Sequence, residues 1–245
     1  MRTRPFSLAL GIAAALAAAP TAARAQLFDL RQPAPQRPPR FFGGIEGIYA
    51  VPQREFGRYV DHGWGISGYL LAAVDQRGAL ALRLDGGFLN YGNEKKRACI
   101  NSTIGCRIDV DVETSNNIAF VGVGPQLMVP NGRFRPYVNG TVGYSYFFTE
   151  SSLEGSNSGV SFTRTTNYDD GVLSTAAGAG VYVPLRAGRT PISIDLGARY
   201  RWNGKTRYLR EGSIVDFPDG SIEITPIESR TDFVTYQLGV TIGGG

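Results

Sequence analysis

The feature that most constrains this chain is a two-residue alternation of apolar and polar side chains that recurs over long stretches. Successive side chains of a strand point to opposite faces, so such alternation makes one oily face and one polar face. Residues 192 to 202 show it most clearly: Ile192, Ile194, Leu196, Ala198, Tyr200 and Trp202 alternate with Ser193, Asp195, Gly197, Arg199 and Arg201. No stretch after residue 26 keeps an apolar 3.6-residue period over a helix length, so the chain reads as all-β.

Alternation does not say which face meets solvent, but strand length and the connections do. Eight segments are expected, over residues 42–51, 64–74, 79–91, 117–129, 135–149, 172–184, 191–203 and 231–242. Each has ten residues or more. Strands of soluble sheets commonly have about five or six, whereas a tilted membrane strand needs about 9–11. The connections alternate: short ones at Asp75 to Gly78, Pro130 to Arg133 and Leu185 to Thr190, long ones at 52–63, 92–116, 150–171 and 204–230. The short ones carry the Gly, Asn or Asp that tight hairpin turns require. This layout predicts a single eight-stranded antiparallel up-and-down transmembrane β-barrel over residues 41–242.

Placing the charged face inside points Glu46, Arg83, Asp85, Asp195, Arg199 and Arg201 into the lumen, as a balanced ion-pair network. Eight strands leave room only for side chains, so these groups are expected to plug the cylinder. The opposite parity puts Trp64, Phe88, Tyr146, Phe148, Tyr200 and Trp202 on the lipid face near the long loops, as an outer aromatic girdle. Pro125 interrupts the fourth segment and lacks a ladder donor, so a bulge is expected there.

Residues 1–25 combine Arg2 and Arg4, an apolar run from Phe6 to Ala19, and Ala23-Arg24-Ala25 before Gln26. That is the pattern of a cleaved secretory signal, with an apolar run too short to span comfortably. Its removal leaves 22 basic against 21 acidic residues, a formal +1, so the basic balance of the whole chain gives no support to nucleic-acid binding. Residues 26–40, rich in Pro and Arg, read as an extended periplasmic leader.

Cys99 and Cys106 are the only cysteines. In an oxidising compartment a local disulfide is expected; free thiols are the alternative, and a metal site is disfavoured because no His or further Cys accompanies the pair. The only histidine, His62, lies in the first long loop, with no serine or cysteine tied to it in a nucleophile pattern. Asp109, Asp111 and Glu113 alternate with apolar residues against the parity of the strand they enter. They read as a solvated strand rising above the membrane, with divalent-cation binding a weaker alternative. Phe217-Pro218-Asp219-Gly220, flanked by Ile214-Val215 and Ile222-Glu-Ile224, reads as the turn of a further hairpin.

The signal, the eight alternating strands, the tight inner turns, the long outer loops and the closing Tyr236-Gln-Leu-Gly-Val-Thr-Ile242 together resemble the small eight-stranded OmpA/OmpX-type outer-membrane barrels. The resemblance covers roughly residues 41 to 242 and is one of architecture. It implies residence in the outer membrane of a Gram-negative-type bacterium, contact with outer-membrane lipid and lipopolysaccharide, and insertion by the barrel-assembly machinery. The ending Ile242-Gly243-Gly244-Gly245 stands where family members commonly end on an aromatic residue, which weakens that insertion signal. The expected function is a non-enzymatic, cofactor-free barrel with an envelope-structural or surface-interaction role through its long loops. Passage of a small or hydrophobic solute is the alternative, and a lipid-modifying enzyme the third reading. No motif names a ligand for the loops.

Overall fold

The computed structural model describes residues 40–99, 109–155, 161–188, 190–217 and 221–244. The export signal, the leader up to residue 39, Cys106 with the expected disulfide, and the turn residues Pro218 to Gly220 lie outside the described residues, as do the side chains of Cys99, Asp109 and Asp111.

Seven long strands follow in order: β1 (Phe41–Pro52), β2 (Gly63–Ala73), β3 (Leu80–Cys99), β4 (Asp109–Met128), β5 (Arg135–Gly155), β6 (Ser161–Arg186) and β7 (Ile192–Asn203). Four short ones come next, β8 (Lys205–Tyr208), β9 (Ile214–Asp216), β10 (Ile222–Ile224) and β11 (Ile227–Arg230), before the long β12 (Phe233–Gly244). The eight long strands form a closed antiparallel barrel, each beside its neighbour in sequence, with β12 sealing against β1 from Phe41↔Gly244 to Pro52↔Phe233. Closure leaves no strand edge of the cylinder exposed. β8 pairs with β11 and β9 with β10 in the last long connection.

The tight turns follow their local chemistry. Gly78, Gly132 and Gly188 adopt positive φ of 71°, 129° and 129°. In the first turn the Asp75 carboxylate accepts the backbone N–H of Leu80 at 2.8 Å and of Arg77 at 3.2 Å, an arrangement that holds the carboxyl below its ordinary pKa and closes the loop.

Two expectations need correction. The segments 92–116 and 150–171, read as long connections, are largely strand: β3 and β4 run 20 residues each, β5 21 and β6 26, so two hairpins rise beyond the wall, and the stretch of Asp109, Asp111 and Glu113 is strand as expected. Lys95 pairs with Glu113 there, their charges 3.1 Å apart. Hydropathy alternation fades where both faces meet water, while the backbone ladder needs no oily face to continue. Pro125 introduces no bulge; it keeps register with Leu82, and toward β5 the pairs at Gly124 and Pro125 are absent while the register is the same on either side. The missing donor is absorbed by a gap in the ladder. The register shifts fall at Asn90/Gly92, Thr149/Glu150, Leu153/Glu154 and Pro184/Arg186.

The direction of the two faces is unambiguous. Ile45 is 74% exposed, Leu238 61% and Leu173 80%, whereas Glu46 is 2% exposed, Arg83 1% and Asp195 0%. A barrel built for water would present the reverse. A continuous wall of bare Ile, Leu and Val around a charged interior is stable only against hydrocarbon, so the barrel spans a membrane. Leu238→Arg is therefore expected to lower the unfolding free energy in lipid vesicles by about 2–4 kcal/mol, as for a cation at the bilayer midplane. Urea titration of the refolded protein measures it, and a change within about 0.5 kcal/mol, usual for a solvated surface, would count against a lipid-facing wall.

Candidate functional site: a layered lumen and its outer mouth

The interior of the cylinder is stacked in three layers, each supplied by the inward parity of several strands. At the short-turn end Phe42, Tyr69, Leu71, Ala81, Met128, Tyr137 and Tyr182 form an apolar floor with hydroxyl tips. Tyr137 and Tyr182 stack with ring centroids 4.6 Å apart. Glycine makes room for these rings: a Cβ on Gly44 would meet Tyr69 Cζ at 2.5 Å, and one on Gly180 would meet Tyr137 Cζ at 2.5 Å. Small and large residues thus interdigitate across the lumen, as a filled barrel requires.

The middle layer holds all six charges named from the sequence, but in an uneven arrangement. Asp85 takes three arginines: Arg199 Nη1 at 2.8 Å, Arg201 Nη2 at 3.4 Å and Arg83 Nε at 3.7 Å. Arg83 also lies 3.8 Å from Glu46 and donates to Gln126 Oε1 at 2.9 Å. Among the described residues Asp195 forms no salt bridge with an arginine; it accepts from Tyr69 at 2.6 Å and Tyr137 at 2.8 Å. Glu46 accepts from Ser67 at 2.9 Å and Gln237 at 3.2 Å. The guanidinium of Arg83 also lies 3.8 Å over the Tyr69 ring, and that of Arg201 4.2 Å over Phe120, so the cations gain π-faces as well as carboxylates. Tyr69, Tyr137, Gln126 and Gln237 were not singled out in sequence, although their inward parity was available once the faces were assigned.

The outer layer was illegible in sequence. Phe56, in the 3-10 turn Phe56–Arg58 of the first long connection, is wholly buried over the lumen. Its ring meets Tyr208 at 5.1 Å, Tyr91 at 5.7 Å and Phe147 at 6.2 Å, edge to face. Ile48, Leu89, Ile118 and Phe233 complete the stopper. Arg54, at φ 52°, turns the chain inward, and Asp232 anchors the turn. Asp232 lies 3.5 Å from the Arg54 guanidinium, its backbone carbonyl accepts Gln53 N–H at 2.8 Å, and its side chain accepts Asn203 N–H at 3.0 Å.

On the outer wall Trp64, Phe88, Tyr146 and Trp202 are exposed, while Phe148 and Tyr200 are half-buried. Tyr146 stacks on Phe148 at 5.4 Å, Phe88 lies 6.0 Å from Phe148, and Tyr200 lies 4.6 Å from Trp202. Tyr49, not named above, lies 4.6 Å from Trp64. His62 lies against Tyr49 and Trp64, in a polar hollow of about 470 Å³ whose walls include Tyr59, Asp61, Asn90, Asn116 and Arg210 but no serine or cysteine. Glu113, one of the three acids weighed for divalent cations, is paired with Lys95.

The middle layer yields a differential test. Asp85→Asn leaves three buried guanidiniums facing fewer carboxylates and is expected to cost about 3–5 kcal/mol, the usual loss on breaking a buried charge pair from one side. Asp195→Asn keeps an acceptor oxygen for one of the two tyrosines, the other hydroxyl can turn to accept from the new amide N–H, and no arginine loses a carboxylate partner, so it is expected to cost less. Denaturant unfolding in the same detergent or lipid measures both; the reverse order would contradict the network as described.

No known family profile matches the chain, and no curated protein matches it. Among solved structures it is similar to the attachment invasion locus protein Ail of Yersinia pestis, solved with the heparin analogue sucrose octasulfate (13% identity, 83% of this chain and 98% of that one, TM-score 0.42). It is also similar to a major outer membrane protein of Thermus thermophilus (11%, 82% and 98%, 0.43) and to neisserial surface protein A (11%, 83% and 96%, 0.38). The assignment rests on the geometry of this chain itself, which is that of a closed eight-stranded transmembrane β-barrel, apolar outside and charged within.

Proposed function

We propose that this protein is an outer-membrane barrel, delivered by a cleaved export signal and the barrel-assembly machinery, that neither conducts solutes nor catalyses a reaction. It works through its surfaces: the wall, in contact with outer-membrane lipid and lipopolysaccharide, and the extended hairpins and outer mouth, open to extracellular partners. The observation that carries this reading is the space left inside. The void among Glu46, Arg83, Asp85, Arg199 and Arg201 is about 10 Å³, room for about one water. Above it the Phe56 stopper closes the mouth a second time, and below it the tyrosine floor a third.

The lumenal carboxylates, their polar partners and the three arginines also bond across the lumen between β1, β2, β3, β4, β5, β7 and β12, which suits a rigid envelope element better than a conduit. The absence of serine and cysteine from the hollow that holds His62 gives no support to acyl transfer among the described residues.

Planar-bilayer recording tests the reading. The wild-type protein is expected to give no unit conductance, and Phe56→Ala, which removes the stopper and leaves the charged layer intact, is expected to give none either. A stable, solute-dependent conductance from the folded wild-type barrel would overturn the closed-barrel function in favour of transport.

A further inference from the structure

The outer wall is not uniform. Across β3 to β7 it carries a groove of about 710 Å³, whose floor is the backbone of the paired glycines Gly122 and Gly143. Its sides are Leu84, Val142, Leu173, Tyr144 and Trp202. All five point away from the lumen and are at least 42% exposed. Both glycines have inward parity, Gly122 between the outward Val121 and Val123 and Gly143 between the outward Val142 and Tyr144, so their backbone is the floor left between outward side chains that stand up around it. Its lining is mostly apolar, with Ser174, Thr175, Asn203 and Arg230 as the polar exceptions, and the apolar part ends at the level of the Trp202 ring, where the wall passes into the outer interface.

At that end the chain continues from Trp202 through Asn203 and Gly204 directly into β8. There Lys205 stands opposite Arg230 of β11, and Arg230 lines the groove. Residues directly opposite on antiparallel strands share a face, and like charges in that position repel. The next outward pair, Arg207 with Glu228, is neutralised by an ion pair of 3.0 Å, but Lys205 and Arg230 have no salt-bridge partner among the described residues. Glu55 approaches this point only to accept the backbone N–H of Arg230 at 3.0 Å. Two cations without a salt-bridge partner among the described residues therefore stand opposite each other at the water end of an apolar trough. That is the complement of an amphiphile with an anionic head and a hydrocarbon tail.

We propose that this groove is a binding site for an anionic membrane lipid, with one acyl chain lying over Gly122 and Gly143 and its phosphate held between Lys205 and Arg230. The proposal rests on the membrane-spanning reading and adds a place and a headgroup chemistry to it. The phosphate relieves the repulsion of the cross-strand pair, and the trough adds apolar contact along the chain; a second, smaller hollow of about 410 Å³ beside Leu70, Leu84 and Val121 has neither Lys205 nor Arg230 in its lining. Attraction of this kind contributes more where the cations lie beside a low-dielectric wall than in open water.

The two tryptophans of the chain supply the test. A Trp64→Phe protein reports only on Trp202, beside the groove, and a Trp202→Phe protein reports only on Trp64, on β2. Each is refolded into phosphatidylcholine vesicles containing a minor fraction of either phosphatidylglycerol or phosphatidylcholine with brominated acyl chains, which quench indole on contact. Trp202 is expected to prefer the brominated phosphatidylglycerol on the order of ten-fold over random mixing. Trp64 is expected to show no preference. Lys205→Gln with Arg230→Gln, both exposed and remote from the barrel interior, is expected to abolish the preference while heat-dependent gel mobility shows the barrel still folded. Val142→Phe, which fills the trough, is expected to weaken it with the cations intact.

Equal quenching of Trp202 by the two brominated lipids, or a preference that survives the double neutralisation, would overturn the lipid site while leaving the barrel in its membrane. Failure of either lipid to quench either tryptophan would overturn the membrane reading itself.

Discussion

Everything in this molecule depends on the seam between β1 and β12. Within hydrocarbon no water is at hand to satisfy a peptide N–H or C=O, so a sheet can cross a membrane only if its two ends pair with each other. Twelve consecutive residues of β1, Phe41 to Pro52, oppose Gly244 to Phe233 in unbroken register. Once that seam is made, the two-residue period sorts every side chain to lipid or to lumen, and a one-residue slip would exchange them all. The chain therefore commits its polar side chains to a space only eight strands wide.

That confinement explains the interior. Charged groups enclosed at low dielectric lose hydration worth several kcal/mol each, and they persist only with close partners. Here the partners are shared: Asp85 serves three arginines, Arg83 reaches both Asp85 and Glu46, and Asp195 is left to the hydroxyls of Tyr69 and Tyr137. Glycines opposite the tyrosines, such as Gly44 and Gly180, make the fit sterically possible. Aromatic rings then close the outer end, and the turn that carries Phe56 is fastened to the rim by Asp232. The result is a rod with its chemistry on the outside, which is why both the wall groove and the outer hairpins, rather than the axis, are the places to seek partners.

Much of this architecture is legible in the sequence. The parity of Ile194 and Leu196 against Asp195 and Arg199 defines both faces of β7, and the short-long rhythm of the connections gives the strand order. Other features depend on relations that hydropathy does not encode. The upper halves of β3 to β6 do not continue the oily stripe of the wall below them; only the alternation around Asp109, Asp111 and Glu113, of opposite parity, reads as strand there. Phe56 stands in a segment without strand period, and only the fold reveals that its turn bends back over the lumen. The pairing of Asp85 with three arginines, rather than one carboxylate with each, depends on shear and side-chain reach across the cylinder. Lys205 and Arg230 lie far enough apart in sequence that their register is a property of the β8 and β11 pairing alone.

The central claim is that the oily side of each strand touches hydrocarbon and its polar side turns inward. Site-directed spin labelling along β12, one nitroxide at a time from Val234 to Ile242, measures this directly in lipid vesicles. Labels at Val234, Tyr236, Leu238, Val240 and Ile242 are expected to collide readily with oxygen dissolved in the bilayer and poorly with a water-soluble nickel complex, while labels at Thr235, Gln237, Gly239 and Thr241 are shielded from oxygen. High accessibility of the first set to the nickel complex, with no two-residue alternation in oxygen collisions, would contradict the account.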